Sequence, residues 1–305
     1  MRVLVVGAGV TGLTVGVRLA EGGHDVHLLA RDLPLETTSV VAAALWYPYL
    51  IEPRDRVLGW SQRSRREFVA IADAPGAGVV LRPGTELMRQ GTADPWWTSL
   101  APDLVREHHL PPPYRDGWSF TTPVIEMPVY LTWLQRRLEQ AGASVTRMAL
   151  SALPDRAEVV VNCAGLGARR LARDDTVVPV RGQVLLMEQV GIERWTLDSE
   201  GLTYVVPRSH DVVVGGTDGY DAWDRRPDPE SAEQILVRAR ALVPELTSAS
   251  VLGHRVGLRP ARPSVRLEQE SLDGGRLIHC YGHGGAGVTV SWGCADEVLA
   301  LVGSA

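Results

Sequence analysis

The sequence predicts an α/β protein in which a parallel, dinucleotide-binding sheet is interleaved with a mixed or antiparallel sheet. Three observations carry this reading. An apolar strand at the start of the chain runs straight into Gly7-x-Gly9-x-x-Gly12. A second glycine-rich loop, Gly282-His-Gly-Gly-Ala-Gly287, opens a helix near the other end. Between them lie strand-like apolar segments at Arg181 to Met187, Leu202 to Pro207 and Asp211 to Gly216, which read as a different, antiparallel sheet.

The first 32 residues are ordered strand, glycine turn, helix (Leu13 to Ala20), Gly22-Gly23, strand (Asp25 to Ala30) and acid. Each part has a task in holding a dinucleotide. Gly7 permits the tight turn, Gly9 lets backbone approach a pyrophosphate, and Gly12 lets the helix pack close to the sheet. The helix N-terminus offers unpaired N–H groups and partial positive charge to the phosphates. Asp32, 20 residues past Gly12, is placed to accept hydrogen bonds from ribose hydroxyls.

Pro128 to Gly142 reads as a helix, with Leu131, Leu134 and Leu138 on one face and Gly142 as the stop. Ala157 to Cys163 reads as a buried strand of the nucleotide-binding sheet, and Glu230 to Val243 as a helix. Arg276 to Tyr281 is a strand, the second glycine loop follows, and Val288 to Leu301 is a helix. Two glycine loops that each open a helix suggest a long cofactor spanning the fold. A reduced flavin carries negative charge near N1 and C2=O, which a helix N-terminus stabilises, so FAD is favoured over NAD.

Apolar residues make up 45% of the 305, enough for a substantial core, and the length suits one large or two closely linked domains. The formal charge of −5 gives no reason to expect nucleic-acid binding. Arg63-Ser-Arg-Arg66 and Arg136-Arg137 read as solvated helix faces. No apolar run is long enough for a membrane helix, and the expected location is the cytoplasm. Lysine is absent, which excludes a Schiff-base lysine and a Walker-type loop. Cys163, Cys280 and Cys294 form neither a disulfide framework nor a metal motif and read as small buried hydrophobes; whether Cys280 and Cys294 pair is left open. No metal is expected. Most of the nine tryptophans are expected in the core or at interfaces.

Several motifs share one order with a known family. They are Val5-Val-Gly-Ala-Gly-Val-Thr-Gly12, Thr37 to Tyr49, Val161-Asn-Cys-Ala-Gly165, Arg181-Gly-Gln183, Tyr204-Val-Val-Pro207, Gly257-Leu-Arg-Pro-Ala-Arg-Pro263 and Tyr281 to Thr289. With them the chain resembles the D-amino-acid oxidase family, FAD enzymes of the p-hydroxybenzoate-hydroxylase type of fold, over nearly its whole length. The resemblance implies a Rossmann-like FAD-binding domain (1–46, 129–178 and 254–305) interleaved with a mixed or antiparallel substrate domain (47–128 and 179–253). It implies that Arg259 grips the substrate carboxylate, that the Tyr204 hydroxyl assists, and that the Gly285 carbonyl accepts a hydrogen bond from the amine. The implied contacts to non-covalent FAD are Gly7, Ala8, Gly9, Val10, Thr11, Gly12, Arg31, Asp32, Thr38, Ala43, Ala44, Leu45, Gly165, Gly284, Gly285, Gly287, Val288 and Thr289. Leu45, Tyr47, Tyr49, Leu197 and Asp218 are expected around the substrate side chain. His279 and His283 read as structural.

The implied reaction is hydride transfer from Cα of a D-amino acid to flavin N5. Hydrolysis of the imine gives a 2-oxo acid and ammonia, and molecular oxygen becomes hydrogen peroxide. Homodimerisation is left open. A bacterial cytosol suits the C-terminus Val302-Gly-Ser-Ala305, which is not a peroxisomal tripeptide. One departure is Glu200, which stands where family members often carry a second active-site tyrosine on a mobile lid; the lid here is expected to be short. D-Aspartate oxidase is the close alternative. It adds basic side chains for a second carboxylate, and those places hold Leu197 and Asp218 here. Asp218 would repel a β-carboxylate by about 1–4 kcal/mol at roughly 4 Å, which favours neutral, apolar D-amino acids. Glycine or sarcosine oxidase, an NAD(P)-dependent dehydrogenase and a catalytically silent binding protein are the other readings.

Overall fold

The computed structural model describes residues 1–155, 157–272 and 274–304. Its strands are β1 (Arg2–Val6), β2 (Asp25–Ala30), β3 (Val79–Met88), β4 (Val105–Glu107), β5 (Asp116–Ile125), β6 (Ser144–Arg147), β7 (Val159–Asn162), β8 (Val178–Glu188), β9 (Trp195–Asp198), β10 (Thr203–Pro207), β11 (Asp211–Gly215), β12 (Gly219–Tyr220), β13 (Val251–Leu272) and β14 (Gly275–His283). The α-helices are α1 (Val10–Glu21), α2 (Arg54–Ile71), α3 (Met127–Gln140), α4 (Ala168–Leu171), α5 (Pro229–Leu242) and α6 (Gly287–Gly303).

The parallel part is the order β14-β7-β1-β2-β6. β7 reads Val-Val-Val-Asn and is buried at every position, as a strand covered on both faces must be. α1 lies over this sheet between α3 and α6. Its Leu13 and Leu19 are fully buried, and Gly22 and Gly23, the latter with φ +84°, end it. α3 starts with Pro128 in its first turn and buries Leu131, Leu134 and Leu138; each such leucine contributes about 1.5–3 kcal/mol. α5 begins where the Asp228 carboxylate accepts the Ser231 N–H at 2.8 Å.

The antiparallel part does not form a separate sheet, contrary to the sequence expectation. All strands belong to one 14-stranded sheet, in the order β4-β5-β3-β9-β10-β11-β8-β13-β14-β7-β1-β2-β6, with β12 also on β8. The join is β13. Along Val251 to Ala261 it pairs with β8, and from Arg266 to Leu272 it pairs with β14. Ala261 lies opposite Val178 on one side and His283 on the other, and the register towards β14 shifts beyond it. One strand therefore carries the parallel arrangement into the antiparallel one.

Two smaller expectations are also modified. Arg137 is not simply solvated. It pairs with Glu21 (2.6 Å) and Glu67 (3.3 Å), and its guanidinium lies 5.0 Å from the Trp292 ring centroid. Arg63 and Arg65 are half-buried, whereas Arg66 and Arg136 are exposed. Six of the nine tryptophans are buried, Trp46, Trp60, Trp195 and Trp292 completely. The three cysteines are buried and free. No helix among the described residues is long and apolar enough to cross a membrane.

Candidate active site

A cavity of about 1240 Å³ runs along the C-terminal ends of β1, β7 and β14 and on to β8, β10 and β13. That exceeds the ~300–1,000 Å³ usual for one small ligand, and leaves room for a dinucleotide beside a small substrate.

At the nucleotide end the backbone is close-packed. Gly7 has φ +111°, and a Cβ there would lie 2.4 Å from the Cys163 carbonyl oxygen. The N–H of Val10, in the first turn of α1, donates to Ser39 Oγ at 3.0 Å. Gly7, Ala8, Gly9, Val10 and Thr11 line the cavity. Gly12 stands behind them: its Cβ would stand 2.0 Å from the Gly7 carbonyl oxygen, so the absence of a side chain lets helix and turn touch.

Arg31 and Asp32 both line the cavity and bind each other, with Arg31 Nη2 donating to Asp32 Oδ2 at 2.6 Å. That hydrogen bond holds the Asp32 carboxyl below its usual range, with Arg225 and Arg147 adding their charge. The second glycine loop is shorter than expected, because β14 continues to His283. Gly284, at φ +54°, donates its N–H to the Pro260 carbonyl at 2.9 Å. α6 then starts at Gly287, so its N-terminus opens on the cavity. Thr38, Ala43, Ala44, Leu45, Gly165, Gly284, Gly285, Gly287, Val288 and Thr289 all line it.

The other end is built around Arg259. This residue lies on β13 opposite Val180, and its Nη1 donates to the Thr217 carbonyl at 2.9 Å. The guanidinium lies against Gly182, where a Cβ would come within 2.4 Å of Nη2. Among the described residues no carboxylate lies within ion-pair distance of it. Tyr204, half-buried on β10, packs its ring on Gly215 and Gly216; a Cβ on either would sit 2.4 or 2.9 Å from ring or hydroxyl atoms. Burial pushes the Tyr204 hydroxyl pKa up, and the nearby Arg259 charge partly offsets this. Leu197 faces Tyr204 across the β9–β10 pair.

Tyr49 is shifted up for the same reason; Arg259 lowers it, while Asp218 and Tyr204 push it further up. The position of a Cβ on Gly285 lies 3.5 Å from Arg259 Cδ and 3.9 Å from the Tyr49 ring. Asp218 is exposed and lines the cavity. Tyr47 donates to Glu86 Oε1 at 2.7 Å, and Thr289 Oγ1 donates to the Tyr47 carbonyl at 3.0 Å. The first turn of α6 is thereby tied to the pocket wall.

Where the resemblance implies a lid, residues 199–202 form a tight turn between β9 and β10. Asp198 braces it by accepting from Gly201 N (2.8 Å), Arg89 Nη2 (2.6 Å) and the Tyr114 hydroxyl (3.0 Å). Glu200 is exposed and accepts the Arg89 N–H at 3.1 Å. His279 is buried between Asn162 (3.3 Å) and Glu270 (3.3 Å), and its burial lowers its pKa. His283 lies 4.0 Å from Cys280 Sγ and also lines the cavity.

Sequence reading did not single out Gly182, Gly215, Gly216, Ser39, Glu86 or Arg238 as site residues. Arg238 donates to Thr203 Oγ1 (3.1 Å) and the Gly216 carbonyl (2.9 Å), and so ties the start of β10 to the turn after β11. Gly182 and Ser39 lie inside the motifs Arg181-Gly-Gln183 and Thr37 to Tyr49, and Gly215-Gly216 is a strand end with no side chains; the contacts of Glu86 and Arg238 become visible only once the strands are paired.

Two glycine-rich loops that each open a helix on one cavity, with a guanidinium in its wall that has no carboxylate within ion-pair distance among the described residues, are the features of a dinucleotide-dependent enzyme. The family model described as FAD dependent oxidoreductase matches residues 2–301, and the chain belongs to that family. FAD is its cofactor, which sets the nicotinamide alternative aside. The residues present fit that group: Gly7, Ala8, Gly9 and Val10, at the N-terminus of α1, line a cavity of about 1240 Å³, and a helix N-terminus presents N–H groups to phosphates.

The chain is 50% identical to a D-amino-acid oxidase of Rubrobacter xylanophilus, covering 100% of this chain and 96% of that one. It is 46% identical to a D-amino-acid oxidase of Streptomyces coelicolor (98% and 96% covered) and 38% identical to a D-aspartate oxidase of Homo sapiens (99% and 94%). Among solved structures, glycine oxidase from Geobacillus kaustophilus superposes with a TM-score of 0.86 at 20% identity, covering 99% of this chain and 95% of that one; it shares the fold.

Proposed function

We propose that the protein oxidatively deaminates D-amino acids with neutral, apolar side chains, giving a 2-oxo acid, ammonia and hydrogen peroxide. The observation that carries this is Arg259: a guanidinium without a carboxylate partner, bedded on Gly182 and facing the cavity that the two glycine loops enter. A planar fork of this kind matches a carboxylate bidentately. Tyr204 and Tyr49, kept protonated by burial, can donate to the same carboxylate. The Gly285 carbonyl is the acceptor for the substrate amine. Fixing carboxylate and amine leaves one Cα hydrogen facing the cofactor and turns the side chain towards Leu45, Tyr47, Tyr49 and Leu197, which is how chirality is read.

Bound FAD supplies the two-electron acceptor, which oxygen restores. The parallel part, residues 1–46, 129–178 and 254–305, is proposed to hold it, and residues 47–128 and 179–253 to shape the substrate end.

The D-aspartate reading is weaker here because Asp218 lines the cavity without an ion-pair partner among the described residues. The test is the visible spectrum of the holoenzyme under anaerobic addition of D-Val, L-Val, D-Asp and glycine, followed by peroxide assay in air. Bleaching by D-Val ahead of D-Asp and glycine, and none by L-Val, is expected. Bleaching by L-Val, or by none of the four, would refute the proposal.

A further inference from the structure

The connection between β12 and α5, residues 221–228, has a braced backbone and bare side chains. Arg181 on β8 donates from Nε to the Asp224 carbonyl (3.1 Å) and from Nη2 to the Arg226 carbonyl (2.7 Å). Gln183 Oε1 accepts the Asp228 N–H at 2.8 Å, and its Nε2 donates to the Asp228 carbonyl at 2.8 Å. The Trp223 indole N–H donates to Asp221 Oδ1 at 3.1 Å, and Arg226 pairs with Asp224 at 3.1 Å. Arg225 is different: among the described residues it makes no hydrogen bond or ion pair. Tyr220 is 73% exposed and Trp223 is 52% exposed.

These three side chains line the same cavity as Arg31 and Asp32. Arg225 is close enough to Asp32 for its charge to be felt there. A loop from the antiparallel part of the sheet thus reaches the end of β2 in the parallel part, where a dinucleotide places its adenosine ribose.

We propose that this loop belongs to the cofactor site: Tyr220, Trp223 and Arg225 hold the adenosine-diphosphate half of FAD, the rings by apolar and stacking contact and the guanidinium by its charge. Aromatic faces are sequence-tolerant platforms for a base. Arginine is suited to phosphate oxygens. A backbone already fixed by Arg181 and Gln183 loses little freedom on binding, so the ordering cost is confined to the side chains. The inference rests on FAD as cofactor and is independent of which substrate the enzyme turns over.

The test uses Trp223→Ala, Arg225→Ala and the double variant, each purified as holoenzyme. FAD release on dilution is followed by recovery of flavin fluorescence, with ADP titrated as a competitor. The FAD Kd is expected to rise about tenfold for each single variant. The ADP competition constant is expected to rise by a similar factor, and Trp223→Phe, which keeps a ring, should restore most of the affinity. An FAD Kd within about twofold of the parent in the double variant would overturn the proposal. So would weakened FAD binding with an unchanged ADP constant, since the loop would then act on the flavin half.

Discussion

At the nucleotide end of the cavity, Gly7 and Gly12 make room for backbone: the atoms a Cβ would strike are the carbonyl oxygens of Cys163 and of Gly7 itself. At the substrate end, Gly182, Gly215 and Gly216 make room for side chains, the guanidinium of Arg259 and the ring of Tyr204. The same residue type serves two purposes. In the first case the glycine shapes the chain that meets the phosphates. In the second it is a bed that fixes the plane of a long side chain, the one proposed to meet the substrate. Backbone cannot yield, whereas the tip of an arginine can. The two ends should therefore fail differently when altered.

The largest expected effect is at the side chain itself. Arg259→Ala should cost about 2–5 kcal/mol in kcat/KM for a D-amino acid, with FAD retained and the visible spectrum unchanged, because the substrate carboxylate loses its partner. Retained activity would remove Arg259 from the site. Gly12→Ala comes next. Its 2.0 Å approach to the Gly7 oxygen can be relieved only by moving helix or turn. A loss of about 1–3 kcal/mol in stability, with FAD lost on dilution, is expected from such overpacking. Calorimetry and flavin fluorescence would check this.

Gly182→Ala should sharpen the contrast. The methyl displaces a flexible guanidinium, so Tm and FAD affinity stay near the parent while KM rises by about tenfold, the size of one charge-assisted hydrogen bond. If Gly182→Ala instead sheds FAD, the bed is a backbone device after all. Tyr204→Phe is milder, about 0.5–1.5 kcal/mol in kcat/KM with folding intact, since the ring remains on Gly215 and Gly216.

The smallest effect concerns acid stability beneath the site. Burial opposes the charge on Asp174, but hydrogen bonds from Thr176, from the Tyr281 hydroxyl (2.8 Å) and from Arg262 (2.9 Å) outweigh it and hold its pKa well below the usual carboxylate range. A carboxyl whose folded pKa lies below its unfolded value of ~3.9 stabilises the protein above that pH, and the contribution is lost as pH falls. Asp174→Asn should therefore lower Tm at pH 7 and flatten the decline of Tm below about pH 5. A parallel acid limb in both proteins would exclude Asp174 as a contributor.

The glycine loops, the first two strands, α3, α5 and α6 could be read from sequence because each carries local punctuation: Pro128 and Gly142 bound α3, Pro229 starts α5, and glycine loops follow β1 and precede α6. The continuity of the sheet could not. β13 contains Gly257, Pro260 and Pro263, which locally read as breaks, and only its partners β8 and β14 reveal one strand. The long antiparallel pair of β3 and β5 is hidden for a similar reason, as Pro83, Gly84 and Pro123 interrupt the alternation. At the site, the motif around Arg259 draws attention to a side chain that the fold does place in the cavity wall. Its bed was not legible, because Gly182 and Arg259 are 77 positions apart and meet only through the β8–β13 pairing.

β13 has a consequence for how such an enzyme can diversify. Gly257, whose absent Cβ faces Thr38 and Val41 in the cofactor wall, stands two positions before Arg259 on the same extended backbone. The cavity wall at Thr38 and Val41 and the proposed anion grip are thus separated by two residues of strand, about 7 Å. Turns such as 199–202 lie outside that stretch, and a change in their length leaves the spacing unaltered.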